Sequence, residues 1–337
     1  MRRILIDAAV EERVKEYVEI MKGNMPLRKK WSAGKTPIER LKAFYKALGG
    51  AAGVNREASL YVYNIISLYE SLLTLQPCDF QYVYQSYFQQ WDGILTKKIV
   101  FEDHERPFYE HVIACMGYKD IRSNLLRKYM KDQGIKACVY CNAQYAVTTE
   151  EFDDEGVLKR VGTYQFDHLL PEAQFPFLCT SYFNLQPCCP TCNQSKLTRD
   201  ALFNLYTARG SEQDIFRFEL TPEKAALAYV AEDMDKLEIK LKSDDAQLLE
   251  NHQGLFHIDL IYAEHLDVAK RIIVLLRNNS PYYRKSLQEG LKTLFPLGVE
   301  DPGYFFFGYY MKKENIHLQP LSKMVQDVVE SMTAARA

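Results

Sequence analysis

Apolar residues in the first third of the chain recur at helical spacing. Residues 7–22 carry them three or four positions apart, at Val10, Val14, Val18 and Met21. This spacing places them on one face, so we predict a helix here. The same kind of pattern recurs further along the chain, over residues 36–49, 55–75, 80–95 and 118–133.

Period-two alternation replaces helical spacing in the last third. Residues 215–220 and 237–242 alternate apolar and polar side chains, which is typical of half-buried strands. Helical spacing returns over about residues 260–277 and again near the C terminus. The uninterrupted aromatic run at residues 304–310 favours a buried strand over a base-stacking surface.

The residue types and the predicted elements change between these two parts of the chain. Cysteines, prolines and short strand patterns replace the long helices over about residues 118–206. The sequence therefore predicts an α+β protein with three regions. These are a helical N-terminal region (1–117), a compact cysteine-bearing centre (118–206) and an α+β C-terminal region (207–337).

Composition and charge narrow the class of protein. The 337 residues are 47% apolar and 26% charged, so the chain can bury substantial cores. Lys plus Arg number 42 and Asp plus Glu 44, which excludes a uniformly basic protein that coats nucleic acid. Local cation-rich stretches remain at residues 22–35 and 119–136, and they fit either a phosphate-tracking face or solvated helices. The acidic segment 150–155 would then point away from a duplex or act as a gate.

The N-terminal sequence favours a cytoplasmic protein. No run approaches the ~18 apolar residues that a membrane span needs. Asp7, Glu11 and Glu12 interrupt the stretch where a signal peptide would be apolar, so we expect no leader and no membrane partner.

Four of the eight cysteines form two Cys-x-x-Cys pairs, Cys138/Cys141 and Cys189/Cys192. Two such knuckles complete a tetrahedral four-sulfur site for zinc, although four unrelated buried thiols are the alternative. A closed site of this kind is structural, and its binding energy is part of the folding energy. We expect the other cysteines to be core thiols, namely Cys78, Cys115, Cys179 and Cys188.

A second set of motifs lies between and just after the knuckles. A strand pattern ends in Asp167-His168 and breaks at Pro171, and Asn184-Leu185 follows further along. Asn193 and Lys196 come directly after the second cysteine pair. This order resembles the HNH endonuclease family, in its version with paired zinc knuckles. The resemblance covers about residues 118–206.

The resemblance implies a role for each motif residue on a β-β-α scaffold. His168 would be the general base that takes a proton from water. Asp167 and Asn193 would hold a catalytic Mg²⁺ or Mn²⁺, and Asn184 would brace the loop that positions His168. Lys196 would contact phosphate or neutralise an acidic neighbour, and a solvated position on the helix face is the alternative without a site role. Because Asn193 stands where many members have histidine, its amide oxygen favours these hard cations over a catalytic zinc.

The resemblance therefore implies metal-dependent cleavage of DNA, with RNA as the second choice of substrate. Stand-alone HNH proteins with such flanks resemble effectors of bacterial antiviral defence, which work beside a separate ATPase or sensor protein. A restriction-type enzyme that acts alone is one alternative, and the oligomeric state is open. The rival from another class is a non-catalytic zinc module that binds nucleic acid or protein. We assign no role to the other histidines and find no Gly-rich phosphate loop.

Overall fold

The structure is a computed structural model that describes residues 1–27, 31–49, 54–123, 125–152, 158–230, 237–294 and 301–334. Its helices are α1 (Ala8–Lys22), α2 (Pro37–Leu48), α3 (Val54–Thr74), α4 (Phe80–Tyr87), α5 (Phe108–Met116), α6 (Tyr118–Ile121), α7 (Leu125–Asp132), α8 (Pro190–Lys196), α9 (Pro222–Val230), α10 (Ala246–Phe256), α11 (Ile258–Ala263), α12 (Leu266–Asn278), α13 (Pro281–Leu294), α14 (Pro302–Phe307) and α15 (Ser322–Ala334). Its strands are β1 (Ile4–Leu5), β2 (Lys98–Phe101), β3 (His104–Pro107), β4 (Thr148–Phe152), β5 (Leu158–Gly162), β6 (Gln165–His168), β7 (Leu185–Cys188), β8 (Tyr206–Thr207), β9 (Arg217–Leu220) and β10 (Ile239–Lys242). The fold is therefore mixed α+β with a helical N-terminal region, as predicted.

Local capping explains where the N-terminal helices begin. The Asp7 carboxylate accepts a hydrogen bond from the amide of Val10 and caps α1, which ends at Gly23 in the left-handed region. Thr36 and Glu39 form a capping box in front of α2, in which the Thr36 amide donates to the Glu39 carboxylate at 2.8 Å. Both predicted helix starts are confirmed.

The strands pair two by two rather than in one large sheet. Four pairs are antiparallel: β2 with β3, β4 with β5, β6 with β7, and β9 with β10. The short β1 pairs in parallel with β8, which ties the start of the chain to the end of the central region. The predicted strands in the last third are confirmed as β9 and β10.

The helical region packs directly against the centre of the chain. The rings of Phe88 and Phe177 stack, with 3.9 Å between their centroids. The Tyr17 hydroxyl donates a hydrogen bond to the carbonyl of Thr180 at 2.6 Å. Buried apolar side chains from all three predicted regions join one cluster. The segment around residues 176–184 therefore has a rigid support. The region boundaries near residues 118 and 206 stay predictions.

Four segments differ from the helix and strand predictions, and two of them are single predicted helices that the structure divides: 118–133 into α6 and α7, and about 260–277 into α11 and α12. The aromatic run at 304–310 is not a strand, because Pro302 begins α14 and Gly308 ends it in the left-handed region. Only Phe307 of that helix's aromatic side chains is buried. The predicted helix over 80–95 ends at Tyr87 and continues as a 3₁₀ turn over Gln89–Ile94.

No helix among the described residues is both long enough and apolar enough to span a bilayer.

Candidate active site

The four motif cysteines meet in the structure. Cys138 and Cys141 lie in a turn after α7, Cys189 is the N-cap of α8, and Cys192 lies in its first turn. Their Sγ atoms all lie within 4.8 Å of one another, and all four side chains are buried. Among the described residues this is the one group of three or more His, Cys, Asp or Glu side chains whose ligand atoms are close enough to share an ion.

Backbone amides and thiol chemistry both suit a metal at this cluster. The amide of Ala143 donates to Sγ of Cys141 at 3.4 Å, and that of Cys192 donates to Sγ of Cys189 at 3.5 Å. Burial raises the pKa of Cys138, whereas hydrogen bonds from Cys138 and the other two thiols lower the pKa of Cys189. Four soft sulfurs in a closed, buried arrangement fit zinc in tetrahedral coordination. The cluster can hold a structural zinc ion.

The other cysteines divide into two groups. Cys115, Cys179 and Cys188 are buried outside the cluster, as expected of core thiols. Cys78 is exposed, so the prediction of a core thiol is wrong there. It lies in the 3₁₀ turn Pro77–Asp79, none of whose residues is buried.

Asp167 lies at the centre of a buried polar network. Its Oδ2 accepts a hydrogen bond from the Tyr140 hydroxyl, and its Oδ1 lies 3.2 Å from Nζ of Lys196. The Lys196 side chain is 0% exposed, and its Nζ also donates to the carbonyl of His168 at 2.8 Å. Burial raises the pKa of Asp167, against the opposing effect of Lys196. Of its two predicted roles, this position of Lys196 fits that of neutralising an acidic neighbour, because no part of its side chain reaches solvent.

His168 ends β6 and is held by one ring nitrogen. Nε2 lies 2.9 Å from the carbonyl oxygen of Cys179, which can only accept. Nε2 therefore carries the proton of the neutral ring, and Nδ1 is left with a lone pair. Nδ1 lies 3.6 Å from Oε2 of Glu172, and the Tyr118 ring packs at 4.7 Å from the imidazole. Burial lowers the pKa of His168, so the neutral ring is favoured.

Asn184 fixes the loop that follows His168. Its Oδ1 accepts from the amide of Leu170 at 2.9 Å, and its Nδ2 donates to the carbonyls of Leu170 and Leu178. Its own carbonyl accepts from the amide of Leu169 at 2.8 Å. The side chain is fully buried. These contacts join both ends of the 169–184 segment and hold it beside the end of β6.

Asn193 lies on the side of α8 that faces β6. Its Nδ2 donates to Oε1 of Gln165 at 2.6 Å, and Lys196, one helical turn later, reaches Asp167, two residues after Gln165. Because alternate strand residues share a face, Gln165 and Asp167 both face α8. Among the described residues the side-chain oxygen of Asn193, Oδ1, accepts no hydrogen bond, whereas its backbone carbonyl accepts from the amide of Leu197 at 3.0 Å. The structure thus places the two predicted magnesium ligands on facing surfaces of the β-β-α unit, with hard oxygen donors that suit Mg²⁺.

A cleft of about 450 Å³ opens beside this network. Glu172 lies on its wall, together with Arg106 and Tyr109 from the helical region and Lys119 from α6. Arg40 and Asp120 also line it and pair with each other at 2.7 Å. Among the described residues Arg106 and Lys119 have no carboxylate partner. Three cations and three carboxylates line the cleft, since Glu110 lies there as well, and Glu172 belongs to the loop that follows His168.

Two of the six cations in the predicted basic stretch 119–136 pair with carboxylates of the described residues. Lys128 pairs with Glu16 and Asp132, and Lys131 with Glu150. Residues 28–30 of the cation-rich linker lie outside the described residues, as do residues 153–155 of the acidic segment. A continuous phosphate-tracking face along 119–136 gains no support from these contacts.

Three groups at the site were missed by the sequence reasoning. Tyr140 lies inside the first knuckle, Glu172 directly follows Pro171, and the Cys179 carbonyl lies on a distant part of the chain. The first two have a signal in the sequence, since each stands next to a motif residue. The third is a backbone atom that any residue would supply.

The assembled site defines a β-β-α unit with a four-cysteine cluster beside a buried Asp-His-Lys network. Comparisons of the chain with protein-family models, with curated proteins and with solved structures gave no match.

A buried histidine behind the first knuckle gives a testable pH dependence. Nε2 of His252 donates to the carbonyl of Tyr140 at 2.9 Å, and burial lowers the pKa of His252 to about 3. The unfolded chain takes up this proton near its ordinary pKa of about 6.5, so stability is lost as the pH falls below that value. Between pH 7 and pH 5 we expect His252 alone to lower the free energy of unfolding by about 2 kcal/mol.

Urea unfolding of the wild type and of His252→Gln at several pH values measures this contribution. Glutamine can still donate to the Tyr140 carbonyl but does not titrate, so its stability should fall less steeply over this range. Metal analysis of both proteins at each pH separates zinc loss from the titration of His252. Equal pH slopes for the two proteins would contradict the expectation.

Proposed function

We propose that this protein is a metal-dependent HNH endonuclease that hydrolyses phosphodiester bonds, with DNA as the first choice of substrate and RNA as the second. The observation that carries the proposal is the fixed ring of His168. A β-β-α unit beside a four-cysteine cluster presents this ring with Nε2 tied to the Cys179 carbonyl and Nδ1 able to accept a proton. The order of the motif residues supports the same proposal.

His168 serves as the general base through Nδ1. The hydrogen bond to Cys179 selects the tautomer and fixes the plane of the ring, so no reorganisation is needed before a water proton is taken. The lowered pKa keeps the ring neutral at pH 7. Glu172, 3.6 Å from Nδ1, stabilises the imidazolium that forms once the proton has moved.

Asp167 and Asn193 are the residues that would hold the catalytic ion. When bound, Mg²⁺ or Mn²⁺ supplies Lewis-acid stabilisation of the charge that develops on the phosphate and on the leaving oxygen. The Asn193 amide is oriented by its hydrogen bond to Gln165. Asp167 keeps lone pairs beyond those used by Tyr140 and Lys196, since a carboxylate has about four acceptor sites.

The cleft beside Glu172 is the proposed approach for the substrate. Arg106 and Lys119 on its wall can contact phosphate oxygens of the substrate. By resemblance, the proposal extends to a defence effector that acts under the control of a separate ATPase or sensor protein.

A non-catalytic zinc module is the second candidate, and one observation favours it. Both carboxylate oxygens of Asp167 are already engaged, by Tyr140 and by Lys196. In that case Asp167 is a structural anion, and the unit binds nucleic acid or protein without cutting.

Substitution of Asn193 separates the two candidates. We expect Asn193→Ala to lower the rate of plasmid nicking in Mg²⁺ about 100-fold, because one hard ligand is lost. Asn193→Asp should stay within about tenfold of the wild type, because it keeps an oxygen donor. The assay follows supercoiled plasmid and a single-stranded RNA with Mg²⁺, with Mn²⁺ and with a chelator.

Gln194→Ala is the matched control, because Gln194 is an exposed neighbour on the same helix. It should cut like the wild type. Cleavage that survives Asn193→Ala would remove Asn193 from the site. If neither DNA nor RNA is cut with either metal, the non-catalytic module becomes the better account.

A further inference from the structure

The two carboxylate oxygens of Asp167 contact two different side chains. One side chain comes from the first Cys-x-x-Cys pair and the other from the helix that follows the second pair. Tyr140 lies between Cys138 and Cys141 in the first knuckle and donates to Oδ2. Lys196 lies at the end of the helix that the second knuckle begins, and its Nζ reaches Oδ1. The carboxylate is therefore a bridge between two elements that a single ion would hold together.

The Tyr140 side chain, which makes the first of these contacts, is held rigidly. Its ring stacks on Phe256 at 4.4 Å with 18° between the planes, and its backbone carbonyl accepts from His252. The side chain is 0% exposed. The hydroxyl therefore has little freedom to move except with the knuckle itself.

Lys196, which makes the second contact, is buried as well and lies on a short helix. Helix α8 runs for seven residues from Pro190 to Lys196, so Lys196 follows Cys192 by about one helical turn. Nζ holds both the Asp167 carboxylate and the carbonyl of His168. A shift of α8 relative to β6 would change both contacts together.

We propose that Tyr140 is a positioning residue through which the four-cysteine site sets the place of the Asp167 carboxylate, with Lys196 as the opposing contact. The four sulfurs hold the first knuckle and α8 at a fixed separation, and the carboxylate fits between the two side chains only at that separation. The inference rests on the proposed function where it treats Asp167 as a magnesium ligand. The coupling between Asp167 and the cysteine cluster is a property of the fold alone.

Coupling of this kind is reciprocal, which makes it measurable without nuclease activity. If zinc holds Asp167 in place, the contacts of Asp167 must also help to retain zinc. We expect Tyr140→Phe to weaken zinc binding about tenfold in competition with a chelator, because a buried hydrogen bond to a charged group is lost. In an Asp167→Asn background, the same substitution should change zinc binding by less than about twofold, since the bond is already weakened.

Tyr164→Phe is the matched control. Tyr164 is also buried, and its hydroxyl bonds to Thr148 rather than to the Asp167 network. It should leave zinc binding unchanged. Tyr140→Phe removes only one oxygen and keeps the stacking on Phe256, so the variant should fold. Circular dichroism checks this for each protein.

If the protein cleaves DNA, Tyr140→Phe should raise the Mg²⁺ concentration that gives half the maximal rate, with a smaller change in the maximal rate itself. Additive effects of Tyr140→Phe and Asp167→Asn on zinc binding would overturn the inference, even in an active nuclease. A non-additive result without any cleavage would keep the coupling and reject only the proposed function.

Discussion

Replacing His168 with alanine is expected to lower phosphodiester cleavage about 1,000-fold, with zinc content unchanged. The Nδ1 lone pair is the proton acceptor of the proposed reaction, and alanine has none. Plasmid nicking at saturating Mg²⁺ measures the rate, and metal analysis of the same sample measures zinc. Because the ring is 8% exposed, its loss also leaves a small cavity and an unpaired Cys179 carbonyl.

His111→Ala controls for that structural cost. His111 is also buried, and its Nε2 lies 2.8 Å from the carbonyl of Ile99, so it makes the same kind of bond outside the β-β-α unit. It should lose comparable stability and keep its nuclease rate. Equal activity in wild type and His168→Ala would place the activity elsewhere or in a contaminant. Equal losses in both variants would show that destabilisation, rather than chemistry, is being measured.

Local signals explain why much of the fold is predictable from the sequence. Helix caps and strand alternation involve residues only a few positions apart, so the sequence alone reveals them. Examples are Asp7, the Thr36–Glu39 capping box and the alternation in residues 237–242. The two Cys-x-x-Cys pairs predict that their sulfurs meet, because two knuckles together supply the four ligands of a tetrahedral zinc site. The aromatic run at 304–310 shows the limit. Its β-propensity was outweighed by the proline and glycine that bound α14.

The geometry of the site is less predictable, because it depends on partners that are distant in sequence. The Cys179 carbonyl that sets the tautomer of His168 reaches it only when the 169–184 segment folds back. The burial of Lys196 is likewise invisible in a sequence where lysine ordinarily indicates a solvated face. The contact between Tyr140 and Asp167 arises because two motifs pack together. The sequence shows each motif but not that they touch.

Replacing Lys196 with methionine is expected to destabilise the protein by about 3–5 kcal/mol, because it leaves the Asp167 carboxylate buried without its cation. Methionine fills most of the same volume, so the loss reports charge more than packing. Urea unfolding at pH 7 measures it. Lys128→Met is the surface control: its pairs with Glu16 and Asp132 are partly exposed, and about 1 kcal/mol or less should be lost.

A second substitution identifies the cause of the Lys196→Met effect. Lys196→Met combined with Asp167→Asn should recover most of the lost stability, because asparagine is neutral and can still accept from Tyr140. The pH dependence of the stability lost in Lys196→Met should point to the same cause. Burial already raises the pKa of Asp167, and loss of the ammonium raises it further, so protonation of the carboxylate relieves the variant. The deficit of Lys196→Met should therefore shrink as the pH falls from 7 toward 5.5. A deficit that is independent of pH and persists with Asp167→Asn would mean that the lysine stem, and not the ion pair, stabilises this part of the fold.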